Sequence, residues 1–321
     1  MTDTFGRRID NLRISVTDRC NFRCRYCMPP EGIRWVPHKE VLRFEEITTV
    51  ARNFLALGGR KIRLTGGEPL LRSEIEILVR QLAALPGLED LSLTTNGALL
   101  AGKAHALWDA GLRRINISLD TLNPLRFQWV CLRDALREVW AGFEAACAVG
   151  FGIKLNSVVL AGVTEAEVCE LIDLAVERGI EVRFIEFMPL CGSGWSPDLW
   201  FSMDTVRNWL MARWRLLPLE RGSAPAQSYA IEGTRARVGF IESLSKPFCG
   251  DCARVRLTAT GKLRLCLFSP LEYDLRPYLY DDAALQSRLQ EAIVHKPAGH
   301  AAHTVAEWQG ETMPRIQVIG G

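Results

Sequence analysis

Residues 12–27 read Leu12-Arg-Ile-Ser-Val-Thr17-Asp-Arg-Cys20-Asn-Phe-Arg-Cys24-Arg-Tyr-Cys27. The first six are mostly apolar or β-branched, which predicts a buried strand, and three thiols come shortly after it. A structural zinc site takes four ligands, and a cluster bound by four cysteines has no open iron. Three cysteines therefore favour an iron–sulfur cluster with one iron left open for a small molecule. A zinc site completed by a distant ligand, or three plain buried thiols, is the alternative.

The same succession of strand and helix repeats along the chain as far as about Trp214. Apolar β-branched stretches alternate with segments of helical period, so the sequence predicts six β/α units and a parallel sheet. The predicted strands are 12–17, 61–65, 90–95, 113–118, 153–160 and 181–187. Polar or glycine-rich clusters follow the strand ends, which is typical of a barrel with its active site at the carboxyl-terminal rim. We expect an α/β fold with a partial (βα)6 TIM-like barrel over residues 1–215.

From about Leu216 the pattern changes to short strand-like pieces interrupted by proline and glycine, and we expect a C-terminal α+β domain over residues 216–321. It carries a second group of three cysteines, Cys249, Cys252 and Cys266. The stretch Gly261-Lys-Leu-Arg-Leu-Cys266 predicts a hairpin strand that returns the third thiol to the other two. Ligand count again favours a cluster with an open iron, here for substrate, over a zinc ribbon that lacks a fourth ligand.

Composition limits the class of protein. Lys and Arg number 39 and Asp and Glu 37, and this net charge of +2 indicates neither a nucleic-acid nor a membrane partner. No apolar run approaches the ~18 residues of a membrane helix, and residues 1–11 lack the apolar core of a signal peptide. We therefore expect a cytoplasmic protein, whose ten cysteines indicate metal or redox chemistry rather than disulfides.

The CxxxCxxC spacing, with the aromatic Tyr26 before its last cysteine, resembles the radical S-adenosylmethionine (SAM) superfamily. The resemblance implies a partial barrel whose [4Fe-4S] cluster, held by Cys20, Cys24 and Cys27, binds SAM at its open iron. One electron then cleaves SAM to a 5′-deoxyadenosyl radical, so the cofactor carries the chemistry and the protein places it. The positions that match SAM-binding elements are Tyr26, Gly66, Gly67, Glu68, Ser118 and Met188. Among them, the anionic Glu68 is the expected acceptor for the SAM amino group.

The second motif, CxxC-x13-C with Arg254-Val-Arg256 and a terminal Gly320-Gly321, resembles a narrower family, the GTP 3′,8-cyclases of molybdenum cofactor biosynthesis. This implies a lyase that abstracts the ribose 3′ hydrogen of GTP, after which the C3′ radical attacks guanine C8. The product would be (8S)-3′,8-cyclo-7,8-dihydroguanosine 5′-triphosphate. A second [4Fe-4S] cluster on Cys249, Cys252 and Cys266 would hold guanine, and the two terminal glycines would enter the active site. The matching GTP-contact positions are Arg13, Lys61 in support, Arg63, Thr94, Lys154, Arg254 and Arg256.

The same resemblance implies a reductant or electron-donor protein, a homodimer, and hand-over of the product to the next molybdopterin-pathway enzyme. The chain departs from the family at Ala253, where Asn is usual, and over 127–132, where a polar loop with Gly and Arg is usual. We assign no chemistry to the five histidines or to Cys131, Cys147, Cys169 and Cys191, which have no ligand spacing. A radical SAM enzyme that modifies a peptide is one alternative, and an iron–sulfur electron carrier or a zinc-binding module is another.

Overall fold

The computed structural model describes residues 1–190 and 193–300, and it alternates strands with helices as far as residue 213. The strands of this part are β1 (Asn11–Ser15), β2 (Lys61–Thr65), β3 (Asp90–Thr95), β4 (Arg114–Ser118), β5 (Gly152–Val159) and β6 (Glu181–Glu186). The helices are α1 (Phe44–Ala56), α2 (Ile75–Ala83), α3 (Ala104–Asp109), α4 (Pro124–Cys131), α5 (Leu136–Val149), α6 (Glu165–Arg178) and α7 (Met203–Arg213). The predicted β/α pattern is confirmed, and each strand starts and ends within two residues of its predicted bounds.

Helix α6 illustrates how local sequence sets these bounds. Thr164 Oγ1 accepts a hydrogen bond from Glu167 N at 3.2 Å, and the Glu167 carboxylate accepts one from Thr164 N at 2.9 Å. This reciprocal pair satisfies two backbone donors that a helix start leaves open. Gly179 ends the helix at φ 65°, a left-handed conformation that glycine adopts at little cost.

Helix α4 includes most of residues 127–132, the stretch whose sequence departs from the polar loop that the resemblance implies. The Asn123 side chain accepts a hydrogen bond from Arg126 N at 3.0 Å, and Pro124 occupies the first turn, so the helix has ordinary start signals. The helix ends at Leu132, whose φ of 52° is the left-handed conformation where glycine is usual. Residues 127–131 are thus helical, and the helix ends on a strained residue.

Six further strands follow α7. They are β7 (Leu216–Pro218), β8 (Gln227–Ile231), β9 (Arg237–Ile241), β10 (Arg254–Leu257), β11 (Lys262–Arg264) and β12 (Glu272–Asp274), and α8 (Asp282–Val294) comes after them. They do not form a separate layer, because β10 pairs in parallel with β1 and β9 pairs in parallel with β6. Within the described residues the sheet therefore runs β12-β11-β10-β1-β2-β3-β4-β5-β6-β9-β8-β7, with C-terminal strands extending both edges of the predicted barrel.

The register of this sheet brings three arginines into one row. Arg13 on β1 lies directly beside Arg63 on β2 and beside Arg256 on β10. Neighbouring residues in register point to the same face of a sheet, so the three guanidinium groups share the inner face. The intervening positions Leu12, Ile62 and Val255 are buried in the apolar core on the opposite face. None of the helices in the described part of the chain is long and apolar enough to cross a membrane.

Candidate active site

The carboxyl ends of the barrel strands open into a cavity of about 220 Å³. Most of the residues singled out in the sequence contribute to its wall. They are Arg13, Cys20, Cys24, Tyr26, Cys27, Arg63, Gly66, Gly67, Glu68, Thr94, Ser118, Met188, Arg254 and Arg256. The sequence therefore predicted that residues from six strands and their loops meet at one place. Gly320 and Gly321 lie outside the described residues.

The first cysteine group lies on the loop after β1. The side chains of Cys20, Cys24 and Cys27 are half-buried and face the cavity. A turn with Cys27 N donating to Cys24 O at 2.9 Å brings the last two together. Burial raises the pKa of the Cys20 thiol to about 12. Three thiols on one loop, facing an open cavity, fit a [4Fe-4S] cluster that keeps one iron accessible.

The turn after β2 packs against the start of this cysteine loop. Gly67 N donates to Thr17 O at 2.8 Å and Glu68 N donates to Arg19 O at 2.7 Å. A Cβ at Gly67 would lie 2.2 Å from Arg19 O, which is far inside van der Waals contact. Glycine is therefore required at this position, because only a bare backbone fits between the two loops.

The Glu68 carboxylate is buried and holds three hydrogen bonds. Its Oε1 accepts from Leu70 N at 3.0 Å and from Thr95 Oγ1 at 2.7 Å, and its Oε2 accepts from Asn96 N at 2.7 Å. Burial raises the pKa of Glu68 to about 7, although these bonds oppose the rise. Glu68 thus joins the ends of β2 and β3, and its role as acceptor for the SAM amino group stays a prediction.

Asp120 supports Tyr26, and the sequence analysis missed it. The Tyr26 hydroxyl donates to Asp120 Oδ2 at 3.0 Å, and Val158 N donates to Asp120 Oδ1 at 2.8 Å. Burial, and secondly the charge of Asp120, raise the pKa of Tyr26. The bond ties the cysteine loop to the ends of β4 and β5. A polar residue two positions past the end of a barrel strand was the available signal.

The second cysteine group lines a smaller cavity that adjoins the first. Cys249, Cys252 and Cys266 are half-buried free thiols in its wall. The two cavities share the wall residues Ser243, Phe248, Arg254, Arg256 and Leu267, so the two cysteine groups line adjoining cavities. Burial alone would raise the pKa of Cys252, but the charges of Arg254 and Lys296 lower it to about 6. A thiol that ionises readily suits a metal ligand.

Arginines dominate the charge of the main cavity. The buried nitrogens Arg13 Nε and Arg254 Nε have no hydrogen-bond partner in the described structure. Burial, followed by the charge of Arg256, lowers the pKa of Arg13 well below its usual value. For Arg63, burial and then Arg183 lower the pKa to about 10. Such crowding of like charge around unsatisfied donors indicates a receptor for a polyanion.

The two predicted lysines do not line this cavity, and an unpredicted arginine does. Lys154 Nζ donates to Glu181 Oε2 at 2.5 Å. Lys61 shares a strand face with Arg63 but is not part of the wall. Arg183 on β6 is part of the wall, and its Nε donates to Glu181 Oε1 at 2.6 Å. A charged residue in an otherwise apolar parallel strand could have identified Arg183 from the sequence.

Two further residues near the cysteine groups had been assigned no chemistry. Cys131, at the end of α4, is buried with its thiol in hydrogen-bond contact with Cys24, and this contact raises the pKa of Cys131. His300 lines the smaller cavity, and its ring lies 4.4 Å from that of Phe268. Sequence spacing gave no signal for either, because both are brought in by distant parts of the chain.

Two family models match the chain. The Radical SAM superfamily model matches residues 14–175, and the model described as Molybdenum Cofactor Synthesis C matches residues 180–302. The first match contains Cys20, Cys24 and Cys27, and the second contains Cys249, Cys252 and Cys266.

Curated relatives match along the whole chain. A GTP 3′,8-cyclase of Pelotomaculum thermopropionicum is 43% identical over 329 residues and covers 100% of both chains. GTP 3′,8-cyclase 1 of Pseudomonas aeruginosa is 47% identical over 315 residues, covering 96% of this chain and 95% of its own. Among solved structures, Streptococcus suis SuiB bound to S-adenosylmethionine matches with a TM-score of 0.58 at 16% identity, over 81% of this chain and 60% of SuiB. That likeness shows the fold alone.

Proposed function

This chain belongs to the radical SAM superfamily and, within it, to the family of GTP 3′,8-cyclases, and on that basis we propose that it converts GTP to 3′,8-cyclo-7,8-dihydro-GTP. This reaction begins molybdenum cofactor biosynthesis. The observation that carries the proposal is the meeting of two three-cysteine groups at adjoining, arginine-lined cavities. Full-length relatives bearing the cyclase name support it.

Cys20, Cys24 and Cys27 would hold the first [4Fe-4S] cluster. SAM bound there supplies, after one-electron reduction, the radical that abstracts hydrogen from the substrate. The chain's own part is to place SAM, and we assign this to Tyr26, Gly66, Gly67, Ser118 and Met188 in the cavity wall. Glu68, in the same wall, would accept from the SAM amino group and hold the ends of β2 and β3 together, while Asp120 would act behind Tyr26 by fixing its hydroxyl.

The arginines of the cavity would hold the GTP triphosphate. A triphosphate carries about four negative charges, and guanidinium groups bind phosphate oxygens in pairs. We assign Arg13, Arg63, Arg254 and Arg256 to this role and add Arg183, which lines the same wall. Thr94 would contact the substrate between them, while Lys154 and Lys61 would act from outside the wall.

Cys249, Cys252 and Cys266 would hold a second [4Fe-4S] cluster whose open iron faces guanine. The adjoining cavities support this arrangement, since a substrate held there would lie between the two cysteine groups. Enclosure by the barrel and the C-terminal strands would also keep water from a radical intermediate. We propose that the enzyme is a lyase and that a separate reductant or electron-donor protein supplies the electron. The terminal Gly320-Gly321 would complete the site.

The test measures whether the ribose 3′ hydrogen of GTP is transferred to 5′-deoxyadenosine. The protein is reconstituted anaerobically with iron and sulfide and given SAM, dithionite and GTP deuterated at ribose C3′, and deuterium in 5′-deoxyadenosine is measured by mass spectrometry. We expect deuterium transfer that requires GTP. Cys27→Ala should abolish it, whereas Cys147→Ala, which removes a half-buried thiol of α5 outside both groups, should not.

Deoxyadenosine formed without deuterium would contradict the cyclase assignment while keeping the radical SAM core. The peptide-modifying alternative predicts that outcome. It has no support from the full-length relatives, and the likeness to SuiB bound to precursor peptide SuiA, at 14% identity and a TM-score of 0.60 over 96% of this chain and 71% of SuiB, concerns the fold only.

A further inference from the structure

Two buried cations lie behind the second cysteine group, and neither has a role in the proposed reaction. Arg7, near the N-terminus, is 7% exposed, and Lys296, just after α8, is 3% exposed. Burying a guanidinium or an ammonium group costs free energy unless bonds and opposite charge compensate it. Their partners therefore indicate what the burial is for.

Arg7 connects the N-terminal segment to the first cysteine of the group. Its Nη1 donates to Cys249 O at 2.8 Å and to Ala298 O at 3.0 Å, and its Nη2 donates to Pro297 O at 2.7 Å. The Asp3 carboxylate accepts from Arg7 Nε at 2.6 Å and so fixes the direction of the guanidinium fork. One side chain thus holds Cys249 and the turn 296–298 together.

Lys296 connects the two segments that carry the other cysteines. Its Nζ donates to Arg254 O at 2.8 Å and to Leu265 O. Arg254 lies two residues after Cys252, and Leu265 immediately precedes Cys266. The ammonium therefore spans β10 and the residue after β11 at the points where they present their thiols.

Lys296 has no carboxylate partner within the described residues, in contrast to Arg7. Its hydrogen bonds to Arg254 O and Leu265 O place it beside the segments that carry Cys252 and Cys266. A cluster with three thiolate ligands would bring the opposite charge that this ammonium lacks. Groups behind metal ligands that fix them and tune the metal in this way are common in metalloproteins.

We propose that Arg7 and Lys296 are positioning residues that hold the three cysteine segments at cluster-binding spacing, and that the Lys296 charge stabilises the reduced state of the cluster. The inference rests on the second cluster of the proposed function. Arg7 only holds the segments together and does not tune the cluster, because Asp3 neutralises its charge. Lys296 both connects two segments and carries a charge that no carboxylate in residues 1–190 and 193–300 pairs with.

The experiment uses the full chain with Cys20, Cys24 and Cys27 changed to alanine, so that only the second cluster can form. In this parent we would measure iron release to a chelator, the electron paramagnetic resonance signal and the midpoint potential. Lys296→Met should release iron about 10–100-fold faster and shift the potential to more negative values. Arg7→Met should release iron faster with little change in potential.

Three controls separate these effects from general damage. Lys296→Arg retains the charge and should restore the parent potential. Lys262→Met removes an exposed lysine of the same hairpin, and Arg8→Met removes the exposed neighbour of Arg7, so neither should change iron release or potential. Circular dichroism would verify that each variant is folded.

The outcomes distinguish this inference from the proposed function. A parent that binds no cluster would contradict the second cluster itself and this inference with it. A parent that binds the cluster, with Lys296→Met unchanged in potential and iron release, would overturn the inference and leave the proposed function intact.

Discussion

Glu74 has a left-handed backbone with φ 55°, although its side chain is exposed and makes no capping bond to α2. A residue with a Cβ pays about 1–2 kcal/mol for this conformation, and glycine does not. We expect Glu74→Gly to raise the free energy of unfolding by about 0.5–1 kcal/mol, measured by urea denaturation of the cluster-free, reduced protein. Glu170→Gly, in the exposed middle of α6, should lower it by about 1 kcal/mol. A loss of stability in Glu74→Gly would refute the assignment of strain.

Arg254 occupies a position between the two cysteine groups. Its guanidinium carbon lies 4.8 Å from the centre of the Phe248 ring, and its Nη2 lies 3.6 Å from Cys252 Sγ. We expect Arg254→Ala to weaken GTP binding by about 1.5–3 kcal/mol, the range for hydrogen bonds to charged groups. Anaerobic calorimetry would measure it, with the exposed Arg237→Ala on β9 as control. An unchanged affinity in Arg254→Ala would remove Arg254 from the GTP site.

The turn after β2 and the cysteine loop form one packed unit, and Gly67 is its tightest point. Because a Cβ there would meet Arg19 O at 2.2 Å, Gly67→Ala must push the two loops apart. We expect this variant to bind SAM at least about tenfold more weakly and to retain less iron at the first site, by calorimetry and iron analysis. Gly102→Ala, where the added Cβ meets nothing within 4 Å, should match the wild type. Equal SAM affinity in the two variants would contradict the close packing.

One carboxylate links side chains from β5, β6 and β8, and β9 lies between the last two of these strands. Glu181 accepts from Lys154 on β5, from Arg183 on β6, and from Ser228 Oγ on β8 at 3.2 Å. Burial alone would raise the pKa of Glu181, but Arg183 and then Lys154 lower it from 4.5 to about 2.

This shift predicts a pH dependence of stability. A carboxyl whose pKa is lower in the folded state stabilises fully above its unfolded pKa, and the contribution disappears as the pH falls from about 4.5 to about 2. Glu181→Gln should therefore cost about 3 kcal/mol at pH 7, and its difference from wild type should shrink across that acid range. Urea denaturation at pH 7, 5 and 3 would measure it. A difference that does not change with pH would contradict the ionic role.

The local sequence predicted where the strands and helices lie better than it predicted which strands pair with each other. Strands β1–β6 and helix α6 follow from apolar periodicity and capping residues, which act over a few neighbours. The pairing of β10 with β1 could not be predicted in this way, because a four-residue strand carries no signal for a partner about 240 residues away.

The same distinction holds for the site. Cysteine spacing identified both thiol groups, since their ligands lie close together in the chain. Asp120, just past the end of β4, and Arg183 on β6 were missed because a single charged side chain usually belongs to the surface, and only the folded sheet buries these two. His300 joins the second group through the turn that Arg7 and Lys296 hold.

The molecule as a whole depends on the strands that its C-terminal half adds to both sides of the barrel. Leu12 pairs with Val255 at one edge and Val182 pairs with Val238 at the other, and all four are fully buried. We expect residues 1–215 expressed alone to lack a cooperative unfolding transition and to be cleaved rapidly by protease, because both edges would be bare. A cooperative fragment would establish 1–215 as an independent domain. The full chain in the same assays is the control.

Strand β10 is translated about 240 residues after its partner β1, and this delay has a consequence for synthesis on the ribosome. Strand β1 emerges among the first residues, yet one of its edges stays unpaired until residue 257 has been made. At about 5–20 residues per second, that interval lasts on the order of ten seconds to a minute. During this time the apolar edge of Leu12–Ser15 is available to other nascent chains, so overproduction should yield aggregates unless translation is slowed or a holdase chaperone shields the growing chain.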